Sequence, residues 1–451
     1  MYPLAQILHS QGYYLTGSDN NETETLEAVR KMGIPVFMGQ RAENIEGADL
    51  IVHTAAIMAD NPELIAAKAS NAPVLERSEL LGIVTGWYDN AICVSGTHGK
   101  TTTTSMITQI LFTAGVDLSA FIGGKLPCIG GSGRAGKSDI MVCEACEFVD
   151  TFLKLYPDVA VILNIDEDHL DYFKNLENII KSFRKFSEMA TKALIINGDD
   201  ANTLKAVDGI TGKEFITFGL DSKNDYYAAN IKKISGMETE YTLMYKGKAL
   251  GKINLHVAGV HNILNSLAAA AAAFYANVSF ESIQKGLSDF RGAGRRFELI
   301  GKEKGITIVD DYAHHPTELS VTLKAAMDMG YNKVWAVFQP FTFSRTAILL
   351  DDFAKALSIP DNAVLTDIMG SREKNTYNIY TRNLAEKIDG CIYFPQDENA
   401  EYTDERKYEN FGQVCDYICE NANDGDLVIT LGCGDVYKVA KMIYKKLKGQ
   451  E

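Results

Sequence analysis

The stretch Asn90-Ala91-Ile92-Cys93-Val94-Ser95-Gly96-Thr97-His98-Gly99-Lys100-Thr101-Thr102-Thr103-Thr104 decides how this chain folds. Its first six residues read as a short buried strand, and Met106, Ile107, Ile110 and Leu111 recur at helical spacing until Ala114-Gly115 closes the helix. Two glycines therefore lie between a strand end and a helix start. The unpaired N–H groups of a helix's first turn, with the positive end of its dipole, favour an anion there. Lys100 adds a point charge for phosphates, and the Thr101 hydroxyl suits Mg²⁺. A nucleoside triphosphate is the expected ligand. The common P-loop, G-x-x-x-x-G-K-[ST], needs glycine at 94, where valine stands, so this cradle is the tighter Gly-x-x-Gly-Lys-Thr. The bland alternative is a threonine-rich helix start after a glycine turn.

A length of 451 residues suggests about three ordinary domains. There is no run of eighteen apolar residues and no opening signal peptide, so a cytoplasmic protein is expected. A net charge of −15 disfavours a nucleic-acid surface. Positive charge for an anionic ligand must then be local, which singles out Lys100, Arg295, Arg296 and Arg345. Eight cysteines are scattered, with Cys93, Cys143 and Cys433 read as lying in apolar strands, and this points to a reducing compartment. Cys143-x-x-Cys146 has no second such pair, which argues against structural zinc.

Periodicity predicts an α/β protein in three parts. Strands at 13–16, 49–52 and 72–75 alternate with helices, and Trp87-Tyr88-Asp89-Asn90 reads as a hinge. The central part carries strands at 139–144, 159–164 and 193–197, an antiparallel stretch around 237–257, and an alanine-rich packed helix at 267–275. A third alternation follows, with strands at 306–310, 334–339, 363–366 and 427–431. The expected domains are 1–88, 89–297 and 298–451.

Gly96-Thr97-His98-Gly99-Lys100-Thr101-Thr102 resembles the ATP loop of the Mur ligases, which build the peptide stem of bacterial peptidoglycan. The resemblance recurs in chain order and covers nearly the whole sequence. Asn164-Ile165-Asp166-Glu167-Asp168-His169-Leu170-Asp171 resembles the metal-histidine segment, and Gly259-Val260-His261-Asn262-Ile263-Leu264-Asn265 the adenine-binding helix start. Arg295-Arg296-Phe297-Glu298 resembles the arginine segment that follows. Asp310-Asp311-Tyr312-Ala313-His314-His315-Pro316-Thr317-Glu318 is most similar to the member that adds the first amino acid. The implied fold is a Rossmann-like UDP-binding domain, a central ATPase domain with a mainly parallel sheet and a C-terminal Rossmann-like domain. The implied activity is ATP-dependent joining of L-alanine to the carboxylate of UDP-N-acetylmuramate through an acyl phosphate.

Residue by residue, the resemblance implies ATP contacts from Gly96, Thr97, His98, Gly99, Lys100, Thr101 and Thr102. It implies adenine recognition by His261, Asn262 and Asn265, a γ-phosphate role for Arg296 and a ribose role for Asp311. Asn262 also fits a helix N-cap. Glu144 ends an apolar strand, where a carboxylate points into the crevice in which α/β sheets bind ligands; otherwise it is a solvated loop residue. His169 stands among acids, which by itself describes a paired surface histidine. The resemblance makes Thr101, Glu144 and His169 metal ligands, and hard oxygen ligands with phosphates mean Mg²⁺. His314 and His315 either merely open a helix or lie near the incoming amino acid. Arg345, in Gln339-Pro340-Phe341-Thr342-Phe343-Ser344-Arg345, suits that amino acid's carboxylate through bidentate geometry, and Phe341 stands where the family has histidine.

Phe183 occupies the position at which several Mur ligases carry a carbamoylated lysine, so no carbamate is expected. Ser18, Asp19 and Thr54 are placed near the UDP moiety; they read equally as strand-end turns. Family members of this type open with a strand and Gly-rich turn just ahead of the segment matching Tyr2–Leu8. Neither precedes it in this sequence, and UDP-sugar binding is the activity expected to suffer. Rival readings are the ligase that attaches a recycled tripeptide to the same sugar nucleotide, a non-catalytic nucleotide-sensing relative and a phosphotransferase. Folylpolyglutamate synthetase shares the cradle, but the double histidine and Gly17-Ser18-Asp19 argue against it.

Overall fold

The strand Asn90–Ser95 is buried from Ala91 onward and runs through a ten-stranded sheet. The computed structural model describes residues 1–234, 236–370, 373–396 and 409–450. These form two compact units, the first comprising Met1–Lys232, Glu240–Leu255 and Val260–Arg291, the second Lys233–Thr239, His256–Gly259 and Gly292–Glu451.

In the first unit the sheet runs, edge to edge, Lys248–Leu255, Thr239–Tyr245, Tyr226–Lys233, Glu214–Gly219, Ala193–Asn197, Val159–Ile162, Asn90–Ser95, Ile140–Glu144, Ser119–Leu126 and Gly131–Arg134. From Tyr226–Lys233 to Ser119–Leu126 the pairings are parallel, and Gly131–Arg134 adds an antiparallel edge. Parallel strands covered on both faces read as continuous apolar runs, which is why the central strands were legible. Register brings their ends level: Val94 pairs with both Glu144 and Val161, and Ser95 with Ile162. Gly96, Ala145 and Leu163 therefore leave the sheet along one edge, the usual ligand edge of an α/β sheet.

The helices Lys100–Thr113, Val260–Tyr275 and Phe280–Asp289 belong to this unit. Ala268 to Ala273 are all fully buried, as expected of a closely packed alanine helix. Gly286 permits a similar approach, since a Cβ there would lie 2.7 Å from the Ile110 Cα.

Residues 13–16 form no strand: the helix Tyr2–Ser10 ends at a Gly12 turn, and the ladder begins only at Gly17–Asp19. The β-propensity of Tyr13 and Tyr14 finds no partner strand, and both rings are exposed. Gly17–Asp19 pairs with Val36–Met38, and Ile51–His53 with Val74–Glu76, as two separate two-stranded parallel sheets.

The second unit is a six-stranded sheet in the order Glu298–Glu303, Ile306–Asp311, Leu427–Leu431, Val334–Phe338, Asn362–Thr366 and Ile392–Phe394. Only the first pairing is antiparallel. Apolar clusters cover both faces, Leu319, Leu323 and Phe353 in one and Val414, Val439 and Ile443 in the other. Cys433 lies two residues beyond Leu427–Leu431 and is half-buried, not within a strand as expected, whereas Cys93 and Cys143 are buried strand neighbours. No helix among the described residues is long and apolar enough to cross a membrane.

Candidate active site

Gly96 and Gly99 take φ of +147° and +88°, a region that favours glycine. Space forbids a side chain as well. A Cβ on Gly96 would lie 2.9 Å from the Leu163 Cβ, and one on Gly99 would lie 2.5 Å from Asn265 Oδ1. Gly99 caps the helix Lys100–Thr113, whose first-turn N–H groups have no intrahelical acceptor. Asn164 clamps the loop: its Oδ1 accepts from the His98 N–H at 2.8 Å, its Nδ2 donates to the His98 carbonyl at 3.0 Å, and its own carbonyl accepts from Thr97 N–H at 3.0 Å. Thr97 Oγ1 accepts from Asp166 N–H at 2.9 Å. Asn164 and Asp166 lie just beyond the strand Val159–Ile162, and sequence spacing cannot reveal a clamp contributed by the end of a neighbouring strand.

Thr101 Oγ1 donates to Glu144 Oε1 at 2.9 Å, and Gly123 N–H donates to Glu144 Oε2 at 2.7 Å. Glu144 is thus no solvated loop residue. A hydroxyl and a carboxylate side by side at a phosphate cradle are the hard oxygen donors that Mg²⁺ takes together with phosphates and water. His169 is less well matched. Its backbone is left-handed (φ +52°), its ring packs on Phe148 at 4.6 Å, and its Nε2 lies 3.6 Å from Asp168 Oδ2. Among the described residues no three His, Cys, Asp or Glu side chains converge as a metal site. Phe183 is buried against Phe152.

Lys100 donates to the carbonyls of Gly96 and Thr97, at 2.6 and 3.0 Å, and to Glu147 at 2.9 Å. Burial alone would lower its pKa, but the Glu147 carboxylate, with Cys146 and Glu144 adding to it, holds the ammonium above its ordinary range. The helix Val260–Tyr275 begins before Asn262, so Asn262 lies within its first turn and is not the N-cap. It accepts from Asn265 Nδ2 at 3.1 Å, and Asn265 in turn adjoins Gly99. His261 is exposed in the first turn of that helix.

Near the glutamate, a cavity of about 160 Å³ is lined by Arg77, Phe121, Gly123, Glu144, Cys146 and Thr151, among others. The Arg77 side chain, which no sequence motif marks, lies over Phe121 at 5.8 Å and makes no hydrogen bond or ion pair among the described residues. Ser18 donates to Glu63 at 2.7 Å, Asp19 accepts from Asn21 N–H at 3.0 Å, and Thr54 Oγ1 accepts from Ala56 N–H at 3.2 Å. The Asp19 and Thr54 bonds are local turn contacts, whereas Ser18 reaches 45 residues along the chain to the helix Pro62–Ala69.

In the second unit the two arginines separate cleanly. Arg295 has φ +60° and is tied down, with Nε on Asp310 at 2.9 Å and its N–H on Glu298 at 2.7 Å. The Arg296 side chain makes no hydrogen bond or ion pair among the described residues and lies over the Tyr312 ring at 5.2 Å. Asp311 accepts from the N–H groups of Phe297 and Ala313, at 2.7 and 2.8 Å. Burial pushes its carboxyl up to about 6, against the pull of Arg296 and these two N–H groups. His314 Nδ1 is 3.0 Å from the Tyr312 carbonyl and 3.3 Å from Glu318. Burial lowers its pKa, with Glu318 opposing, which favours a neutral ring. His315 is the N-cap of Pro316–Met327, accepting from Thr317 N–H at 3.3 Å. Arg345, in the helix Phe343–Ile348, is half-buried, and its side chain makes no hydrogen bond or ion pair among the described residues.

Family models match in three consecutive stretches: the Mur ligase family catalytic domain over residues 1–86, the Mur ligase middle domain over 94–273, and the Mur ligase glutamate ligase domain over 295–434. A UDP-N-acetylmuramate–L-alanine ligase of Acetivibrio thermocellus is 44% identical over 99% of this chain and 93% of its own length. One from Agathobacter rectalis is 42% identical, over 99% and 95%. Among solved structures, the UDP-N-acetylmuramate–alanine ligase of Thermotoga maritima superposes with a TM-score of 0.81 at 25% identity, covering 100% of this chain and 96% of that one. The cradle, its clamp and the glutamate beside it therefore sit in a chain that belongs to the Mur ligase family.

Proposed function

We propose that this chain joins L-alanine to the lactyl carboxylate of UDP-N-acetylmuramate, using ATP, in the cytoplasmic stage of peptidoglycan synthesis. A carboxylate is a poor electrophile and an amine is protonated in neutral water, so the acid must be activated. Its oxygen attacks the γ-phosphorus of ATP, ADP leaves, and the acyl phosphate is opened by the alanine amine with loss of phosphate. The pairing of Thr101 with Glu144 beside a glycine-built phosphate loop carries this reading, supported by near-full-length similarity to ligases of this specificity.

Gly96, Thr97, His98, Gly99, Lys100, Thr101 and Thr102 cradle the phosphates in this proposal, His261, Asn262 and Asn265 take the adenine, Arg296 the γ-phosphate and Asp311 the ribose. Thr101 and Glu144 would hold Mg²⁺, with His169 assigned to a second ion. When bound, such ions neutralise phosphate charge. His314, with Nδ1 turned to the Tyr312 carbonyl, leaves Nε2 as the acceptor for the amine's proton. Arg345 pairs with the alanine carboxylate, and His315 adjoins the amino acid. Ser18, Asp19 and Thr54 remain assigned to the UDP end. The division into 1–88 for the sugar nucleotide, 89–297 for ATP and 298–451 for the amino acid belongs to the same proposal.

UDP-N-acetylmuramate labelled with ¹⁸O in its carboxylate tests the chemistry. One labelled oxygen should appear in the released phosphate; unlabelled phosphate formed together with the alanyl product would rule out the acyl phosphate.

A further inference from the structure

Glu147 is 2% exposed, and its carboxylate oxygens lie 2.9 and 2.8 Å from Lys100 Nζ. With the Gly96 and Thr97 carbonyls, that contact commits all three ammonium donors, so the cation has no hydrogen left for a phosphate oxygen. The carboxylate is also firmly placed. Glu147 opens a segment in which Val149 and Asp150 both take left-handed φ, +53° and +56°, a conformation costly for a β-branched residue and one that persists only where its surroundings impose it. Asp150 accepts hydrogen bonds from Ser182 and Tyr172, and Phe148 packs on His169. Lys100, on a flexible four-carbon stem, is therefore the partner that can move.

We infer that Glu147 is an internal competitor of nucleotide: it occupies the loop lysine when no phosphate is present and must release it before Lys100 can serve ATP. The carboxylate keeps the buried ammonium charged and folded over its own loop. Binding exchanges one anionic partner for another, and nucleotide affinity is set below what the free cation would give. This makes Glu147 a positioning residue, acting through Lys100, and the inference rests on the reading of the loop as an ATP site.

Calorimetric titration of ADP into the full chain tests it. Glu147→Gln keeps the side-chain shape and removes the competing charge, so the ADP Kd should fall by about tenfold. Glu147→Asp lengthens the ion pair by one methylene and should lower Kd by a smaller factor, about two- to threefold; it decides the matter alone if the glutamine variant does not fold. In turnover the glutamine variant should lower KM for ATP and kcat together, because product ADP leaves more slowly, whereas a merely structural role would raise KM. Affinity unchanged or weakened in the folded variants would overturn the inference. Failure of the unaltered chain to bind ADP would instead overturn the nucleotide reading itself.

Discussion

Replacing Asn164 by alanine should loosen the phosphate loop without unfolding the chain. The side chain makes two hydrogen bonds to the backbone of His98, at 2.8 and 3.0 Å, while the Thr97 bond to the Asn164 carbonyl survives the substitution. Each neutral bond is worth about 0.5–1.5 kcal/mol net, so the clamp contributes about 1–3 kcal/mol to holding the loop in its cradle form. His98 is half-buried and water can replace part of that, which sets the expected loss near the middle of the range. A cost of about 2 kcal/mol corresponds to roughly 30-fold weaker nucleotide binding. Asn164→Asp keeps the acceptor for the His98 N–H but sets a second oxygen against the His98 carbonyl and adds negative charge beside the phosphates, so it should be worse than alanine. The assay is calorimetric ADP titration, with far-UV circular dichroism and thermal melting to confirm the fold. An alanine variant within twofold of the original affinity, or an aspartate variant that binds better than alanine, would refute the clamp.

Glu144→Ala removes the carboxylate that meets Thr101 and should shift the Mg²⁺ titration of turnover to higher concentration; an unchanged titration would return Glu144 to a structural role. Asp311 gives a pH signature. Its carboxyl is raised from 3.8 to about 6, so the folded chain holds this proton more tightly than the unfolded one, and the group's contribution to stability declines as pH rises from about 4 to about 6. The full difference is roughly 3 kcal/mol at about 1.4 kcal/mol per pH unit. The stability gap between Asp311→Asn and the original chain should therefore change by that order between pH 4 and 7, and a pH-independent gap in urea unfolding would contradict the assignment. Gly82→Ala would place a Cβ 2.0 Å from the Lys154 carbonyl oxygen, which calls for a loss of about 1–3 kcal/mol and a lower melting temperature. An unchanged melting temperature would mean that the contact relaxes freely.

The parallel strands and the cradle were legible because a buried strand followed by glycines and an amphipathic helix leaves a local imprint. Asn90–Ser95 and Leu427–Leu431 fall where periodicity puts them. Residues 13–16 misled because tyrosines favour strands only when a partner strand is present. Asn262 misled because the helix starts upstream of it, at Val260. The site was legible as a set of motifs but not as a set of contacts. Nothing local in the sequence marks Asn164 as a clamp, Glu147 as the partner of Lys100 or Arg77 as an uncommitted guanidinium, since each depends on which loops the sheet register brings to one edge. The choice between Arg295 and Arg296 illustrates the difference: adjacent and chemically identical, they are separated by the buried Asp310 and the Gly432 carbonyl, which claim the guanidinium of the first.

Phosphate release from ATP, measured with UDP-N-acetylmuramate and L-alanine each omitted in turn, tests the ligase reading most directly. Full release should require both substrates and should stop with Lys100→Ala. Equal release with either substrate left out would contradict it.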